Sequence, residues 1–141
     1  MLDVRPGEGV GSVSIGMRRP QVAAALGERP ERFRKTSLSQ VDTDAFDSLG
    51  IHVYYDAQDN CEYIECFRES KHLFVFGIPV LEIPAHETLM RLSVHCDLEE
   101  SEAGCSYTDA RAGITFWRAA PDEPRFQTLG VGAPSYFEPA A

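Results

Sequence analysis

Positive charge and long apolar runs are both scarce in this sequence. Its 141 residues include 13 Lys and Arg against 22 Asp and Glu, which gives a formal net charge of -9 at pH 7. Binding of nucleic acid needs a basic surface for the phosphates, so this balance argues against a nucleic-acid partner. No apolar run approaches the roughly 18 residues that span a bilayer, and residues 1–11 hold no apolar core of a signal peptide. We therefore expect a cytoplasmic protein without a membrane partner.

The short motifs of catalytic and metal sites are also missing. The four cysteines form no Cys-x-x-Cys pair and the four histidines no His-Glu-x-x-His pair, which are spacings typical of zinc sites. No Gly-x-Ser-x-Gly indicates a hydrolase nucleophile, and Gly7, Gly9, Gly11 and Gly16 lack the spacing of a phosphate loop. We therefore expect no catalytic residue, no metal and no cofactor, and a protein that is not an enzyme.

A globular core is what the chain does contain. Hydrophobic residues make up 43% of the sequence, a fraction too high for disorder. A chain of this length buries enough surface for one compact unit or for two small fused halves. Cys61 and Cys66 fall in one strand-like stretch, where a separation of five residues predicts opposite faces and no disulfide between them. We interpret the four cysteines as free thiols.

The hydrophobic pattern predicts an α+β fold with two short helices and several antiparallel strands. The first helix covers Arg19–Leu26 and is closed by Gly27, and the second begins at Pro84. Alternating apolar residues on both sides of turn sequences predict two hairpins, at 50–68 and 113–131.

The same order of elements occurs twice along the chain. Residues 10–26 align without a gap on residues 76–92 at an offset of 66, and residues 50–54 align on 113–117 at an offset of 63. Each copy predicts a short strand, a helix, a loop and a meander of strands. We therefore predict two tandem repeats, with the helices of both on one side of an antiparallel sheet.

This repetition divides the chain into four predicted segments. They are an N-terminal extension (1–8), a first α+β repeat (9–70), a second α+β repeat (71–137) and a C-terminal tail (138–141).

A period of two residues assigns the faces of the predicted sheet. Apolar residues at alternate positions are expected to point at the helices. Six other side chains are then expected on the solvent-facing side: His52, Tyr54, Tyr63, Glu65, Trp117 and Phe126. Because Tyr and Trp dominate binding hot spots, we interpret these six as a partner-binding site. In a second interpretation, residues 28–40 or the tail cover this face.

A motif within residues 11–27 carries a family resemblance. The segment reads Gly-Ser-Val-Ser-Ile-Gly-Met-Arg-Arg-Pro-Gln-Val-Ala-Ala-Ala-Leu-Gly. An apolar-Gly-Met, a short helix with Val and a closing Leu-Gly resemble the opening of the repeat in the β-lactamase inhibitor protein family. The segment is also similar to the domain of the small outer-membrane assembly lipoproteins. The resemblance implies two repeats of helices packed on an antiparallel sheet, whose concave face grips an enzyme with aromatic and acidic residues.

These observations predict a protein-binding module of the immunity or inhibitor kind, as a monomer or a homodimer. The acidic charge, including the stretch 97–102, favours a basic protein partner. Two alternatives stay open. One is a small-molecule-binding domain or an enzyme with an unmarked pocket, and the other is a homodimer that buries the aromatic face against itself.

Overall fold

The computed structural model describes residues 2–34, 41–68, 70 and 72–137. The strands are β1 (Leu2–Arg5), β2 (Gly9–Val10), β3 (Val13–Ser14), β4 (Glu31–Phe33), β5 (Thr43–Phe46), β6 (Ile51–Tyr55), β7 (Cys61–Phe67), β8 (Leu73–Val75), β9 (Glu99–Ser101), β10 (Ser106–Asp109), β11 (Ile114–Trp117) and β12 (Thr128–Gly132). The helices are α1 (Arg19–Leu26), α2 (Ala85–Leu92) and α3 (Pro134–Phe137), with a 3-10 turn at Asp47–Leu49. The protein is thus α+β, as predicted, and mostly sheet with a few short helices.

Eight strands form a large antiparallel sheet in the order β4-β5-β6-β7-β12-β11-β10-β9. Strands β4 to β7 follow one another in the chain, and we call them the first meander. Strands β9 to β12 do the same from the other edge, and we call them the second meander. The two meanders meet where β7 runs antiparallel to β12. Helix α1 precedes the first meander and α2 precedes the second.

A smaller sheet of four strands has the order β3-β2-β1-β8. Strand β1 lies antiparallel to β2 and parallel to β8, with Leu2 opposite Leu73. The predicted N-terminal extension, residues 1–8, therefore contains a paired strand. Alternation did not indicate it, because Leu2 and Val4 provide too short an apolar pattern.

The hydrophobic core lies on one face of the large sheet. Buried apolar side chains from this face, from the small sheet and from both α1 and α2 belong to one cluster. The inward residues expected from alternation are all buried: Ile51, Val53, Ile64, Cys66, Ile114, Phe116, Leu129 and Val131. Each large apolar side chain contributes about 1.5–3 kcal/mol when it is fully buried. We call the opposite face of the large sheet the outer face.

A bulge in β7 turns Cys61 into the core. Tyr54 lies opposite Tyr63, but Tyr55 lies opposite Cys61, so Glu62 is an extra residue in this strand. Cys61 and Cys66 are both buried free thiols, and the prediction that they lie on opposite faces is wrong. Burial raises the pKa of the Cys61 thiol to about 12.

An ion pair connects α1 to β5, the strand beside the edge of the first meander. Arg19 donates to Asp44 Oδ1 and to the Asp42 carbonyl, each at 2.8 Å. Arg32 donates to the same Asp44 oxygen at 3.1 Å. The Arg19 guanidinium lies 4.0 Å from the centre of the Tyr55 ring. A buried carboxylate is thereby held between two cations, which is the arrangement that makes its burial tolerable.

Candidate functional site: the outer sheet face

Side chains on the outer face form rows that cross the strands. The central row contains, in spatial order, Glu31, Ala45, His52, Glu65, Gly130, Thr115, Thr108 and Glu99. Its carboxylates stand at both edges of the sheet and near the middle. Among the strand residues that the structure describes on this face, none is Lys or Arg. The outer face is therefore acidic along its whole width.

His52 is packed between two phenylalanine rings. The centre of its imidazole lies 5.4 Å from that of Phe33 and 4.7 Å from that of Phe67, both in edge geometry. Its Nε2 lies 3.1 Å from Asp47 Oδ1. The ring is thus held on both sides and at its polar edge, which leaves little of it for a partner.

Tyr54 and Glu65 form one polar pair on the outer face. The Tyr54 hydroxyl donates to Glu65 Oε1 at 2.9 Å. Burial first, and then the charge of Glu65, raise the pKa of Tyr54 above its ordinary value. The phenol therefore stays protonated at neutral pH and continues to donate this hydrogen bond.

The C-terminal helix covers one corner of the outer face. The Tyr63 ring stacks on Tyr136 of α3, with centres 4.6 Å apart and planes 16° apart, and Phe137 lies against its edge at 6.0 Å. Gly130 makes room for this ring, because a methyl group there would overlap the Tyr63 hydroxyl. Residues 134–137, the end of the predicted second repeat, thus shield Tyr63. The predicted tail at 138–141 and residues 35–40 of the predicted cover lie outside the described residues.

Trp117 stands apart from the other predicted site residues. It lies on the outer face, 39% exposed, with Thr128 and Ser106 opposite it on the neighbouring strands. Strands β7 and β12 separate it from Tyr54 on β6. The predicted aromatic residues therefore do not form a single cluster, and Trp117 is the one with short polar side chains beside it.

Phe126 is not on the outer face, and its assignment to the binding site is wrong. It is fully buried, with its ring 5.6 Å from Tyr107 and 5.4 Å from Phe116. The Arg118 guanidinium lies 5.6 Å from its ring centre. Strand β12 begins two residues later, and alternation of faces applies only within a strand. The chain before β12 turns Phe126 into the core.

Sequence patterns did not indicate the outer-face residues of β9 and β10. The stretch 97–102 predicts only acidic charge, because β9 has no apolar alternation and all of its residues are exposed. Thr108 and Thr115 share a hydrogen bond of 2.6 Å between their hydroxyls. These polar side chains extend the outer face toward its second edge, and no motif in the sequence could have indicated their pairing.

A groove of about 720 Å³ lies between the segment after α2 and strands β9 and β10. Its lining includes the carboxylates of Asp97, Glu99, Glu100 and Asp109 and the guanidinium of Arg111. The Cys96 thiol also lines it, and burial together with the Asp109 charge raises its pKa, which makes it a poor nucleophile. Among the residues that the structure describes, no three side chains converge as metal ligands would. No helix in that part of the chain is long and apolar enough to cross a membrane.

Comparisons with protein-family models, with curated proteins and with solved structures gave no match. The resemblance to the β-lactamase inhibitor protein family therefore stays a prediction. What the protein does must be inferred from the geometry of its surfaces.

Proposed function

We propose that this chain is a protein-binding module without catalytic activity, which docks a basic protein on its outer face in the manner of immunity and inhibitor proteins. The observation that carries the proposal is the central row, where Glu31, Glu65 and Glu99 span the sheet and no described strand residue on the face is Lys or Arg. A face of one charge sign attracts and orients a partner of the other sign.

Trp117 is the proposed anchor of this docking face. The core-forming residues of α1 and α2 belong to the cluster on the opposite side of the sheet, so these helices leave the Trp117 side open. Tryptophan is enriched among the residues that dominate binding energy, and its ring attracts Lys and Arg side chains through cation–π contact. A basic partner is therefore the occupant that suits both the ring and the carboxylates.

The paired meanders support the further proposal that the chain consists of two tandem repeats. Ile51 lies opposite Cys66 in the first meander, and Ile114 lies opposite Val131 in the second. The first strands of the two hairpins are related by the offset of 63 seen in the sequence, and each pairs with the strand before it at the same spacing, Asp44 with Val53 and Tyr107 with Phe116. Helices α1 and α2 both have eight residues and start 66 positions apart.

This relation makes Tyr54 and Trp117 equivalent positions, so both repeats present an aromatic residue to the outer face at the same place. A duplicated sheet with an aromatic and acidic face is what the resemblance to the β-lactamase inhibitor protein family implies. We therefore propose the same mode of binding, with an enzyme or toxin of basic charge as the partner.

Photo-crosslinking from two positions tests the docking face. A photoreactive residue replaces exposed Ser101 at the outer-face edge, and in the control it replaces exposed Ala24 on α1. The probe is the basic-protein fraction of the source-cell lysate, bound first to a cation exchanger. We expect a single basic protein to be crosslinked from position 101 and not from position 24.

Binding of that purified protein provides the decisive measurement. Trp117→Ala should raise the dissociation constant at least about tenfold, and Glu65→Gln with Glu99→Gln should reduce its dependence on salt. Identical adducts from both positions, or equal affinity of Trp117→Ala and wild type, would contradict the proposal.

A further inference from the structure

Helix α3 already occupies part of the face on which the proposed partner docks. Tyr136 stacks on the Tyr63 ring, and Phe137 lies against the edge of the same ring. Glu65, the carboxylate near the middle of the central row, lies two residues from Tyr63 on the same face of β7. Burial, and after it the charges of Glu62 and Glu65, raise the pKa of Tyr136. The helix therefore covers one aromatic ring of the outer face and stands beside one of its carboxylates.

The covered ring lies where the two meanders meet. Tyr63 is opposite Gly132 on β12, and a methyl group on Gly130 would overlap the Tyr63 hydroxyl. The ring thus extends over Gly130, whose other neighbour in the central row is Thr115 of the second meander. Trp117 follows two residues later on the same face. With α3 displaced, the free face of the Tyr63 ring would continue the surface around Trp117 into the first meander.

Little holds α3 in this position. The helix has four residues, none of which is buried, and Pro134 and Ser135 are exposed. A single turn is not stable as an isolated helix, so its packing on the sheet must keep it in place. A methyl group added to Gly132 would lie 3.2 Å from the Phe137 ring, which means that this ring rests on bare backbone. The cover therefore depends mainly on aromatic contacts, each of which contributes little free energy.

We propose that α3 is an autoinhibitory cover of the docking face, and that a basic partner displaces it when it binds. This inference rests on the proposed function. A Lys or Arg side chain of the partner takes the place of Tyr136 on the Tyr63 ring through cation–π contact, with the Glu65 carboxylate beside it. The neutral Tyr136 ring satisfies Tyr63 alone, whereas a cation satisfies both groups.

This exchange makes the cover selective. An apolar partner that displaces α3 replaces one neutral ring contact by another and gains nothing from Glu65. A basic partner gains the attraction of the carboxylate as well. The helix thus raises the threshold for every partner and leaves the net advantage to a cationic one.

Binding of the basic protein that is crosslinked from position 101 tests the cover. The apparent affinity of a partially closed site is reduced by the fraction of open molecules. Tyr136→Ala removes the stacked ring and should lower the dissociation constant about threefold to tenfold. Phe137→Ala removes only the edge contact and should lower it less. Ser135→Ala, at an exposed position of the same helix, is the matched control and should bind as wild type does.

The failure of this inference differs from the failure of the proposed function. Equal affinity of wild type and Tyr136→Ala overturns the inference and leaves the docking face intact. Weaker binding by Tyr136→Ala also overturns it, because the helix would then belong to the docking surface. If neither protein binds any basic protein, the proposed function fails and the inference fails with it.

Fluorine NMR of the full chain without a partner shows whether α3 opens. 3-Fluorotyrosine replaces all five tyrosines, and the Tyr63 signal is the one that is missing from Tyr63→Phe. As the temperature rises, this signal of the wild type should move toward its position in Tyr136→Ala, well below the melting temperature. A signal that stays in place until the whole chain unfolds overturns the inference, whatever the binding measurements give.

Discussion

The two meanders have the same strand order, counted outward from the middle of the sheet. Their outer faces differ in how much of the surface is already occupied by internal contacts. In the first meander His52 is enclosed by two phenylalanine rings and Tyr54 is bonded to Glu65. At the equivalent positions the second meander has Thr115 and the exposed Trp117. The first meander thus uses its outer face for its own packing, and the second leaves an aromatic ring among hydroxyl groups. For the docking proposed above, this difference favours the second meander as the main contact surface.

The strands beside the two sheet edges, β5 and β10, also differ on the side that faces the core. Asp44 in the first and Tyr107 in the second are equivalent, because they lie opposite Val53 and Phe116 at matching positions. Asp44 is buried and forms an ion pair with Arg19. The Tyr107 hydroxyl instead donates a hydrogen bond to Glu100 Oε1 at 3.0 Å. The same strand position thus holds a buried ion pair in one meander and a tyrosine hydroxyl bonded to an exposed carboxylate in the other.

Removing these two contacts, one in each meander, should give the largest difference in the loss of unfolding free energy. Asp44→Ala leaves the nearly buried Arg19 guanidinium with the half-exposed Asp59 as its remaining carboxylate partner, and we expect a loss of about 3 kcal/mol of unfolding free energy. Tyr107→Phe removes one neutral-to-charged hydrogen bond at the edge and should cost about 1 kcal/mol. Urea denaturation of both variants measures the difference.

Arg32 provides the control for this comparison. Its side chain is 57% exposed although it contacts the same carboxylate, so Arg32→Ala should cost less than about 1 kcal/mol. Equal losses for Asp44→Ala and Tyr107→Phe would show that the buried ion pair does not stabilise the first meander.

Substituting alanine for the glycines that precede two equivalent strands should give the next largest loss of unfolding free energy. Gly113 has a φ of +78° and a methyl group there would overlap the Gly132 carbonyl. Gly50 has a φ of +67° and a methyl group would lie 2.7 Å from the Ser70 backbone nitrogen. We expect Gly113→Ala to cost about 3 kcal/mol and Gly50→Ala about 2 kcal/mol, measured by chemical denaturation.

Gly27 separates strain from crowding in this pair. Its φ is +68°, but nothing lies within 4 Å of an added methyl group, so Gly27→Ala should cost only about 1 kcal/mol for the backbone conformation. If Gly113→Ala is no worse than Gly27→Ala, then the backbone of Gly7 and Gly132, which an added methyl group would meet, moves aside easily.

Local signals explain which parts of the fold could be predicted. The bounds of α1 followed from Gly27 and an early proline, and those of the two hairpins from alternation. Strands β1 and β9 escaped prediction because each depends on partners far away or lacks apolar residues. The bulge that turns Cys61 inward appears only when β7 is paired with β6. Such features depend on strand pairing, which a single segment does not encode.

The candidate site was predictable to the same extent. Alternation placed His52, Tyr54 and Trp117 on the outer face, since each lies inside a regular strand. It failed for Phe126, which lies outside one. The cover that α3 gives to Tyr63 is a contact between distant segments, and a face assignment says nothing about it.

Substitutions that remove or add a buried cysteine at two equivalent core positions should change the unfolding free energy moderately and in a pH-dependent way. Cys66 is equivalent to Val131, and burial raises the pKa of its thiol well above the ordinary value. The unfolded chain loses this proton above about pH 8.5–9, while the folded chain keeps it. Stability that is present below this range is therefore lost as pH rises, with a slope of about 1.4 kcal/mol per pH unit for each thiol.

When the pH rises from about 8 to about 10, we expect the unfolding free energy of Cys66→Val to fall by about 1–2 kcal/mol less than that of wild type. Val131→Cys adds a buried thiol to the second meander, so its unfolding free energy should fall by correspondingly more than that of wild type over the same pH range. Urea denaturation at both pH values measures these differences. Identical pH profiles for the three proteins would mean that the thiol at position 66 titrates in the folded chain as it does in the unfolded one.

The smallest effect on folding should come from the equivalent aromatic residues of the outer face. Tyr54→Phe removes the hydrogen bond to Glu65, so we expect a loss of about 1 kcal/mol, which Glu65→Gln should reduce in a double-mutant cycle. Trp117→Phe removes part of an exposed ring and should change stability by less than about 0.5 kcal/mol. Because Trp117 does so little for the fold, any loss of partner binding in Trp117→Phe reports on docking itself. A variant that loses stability at position 117 as much as at position 54 would show that both meanders use their aromatic residues for packing, and the second would then have no free face to offer a partner.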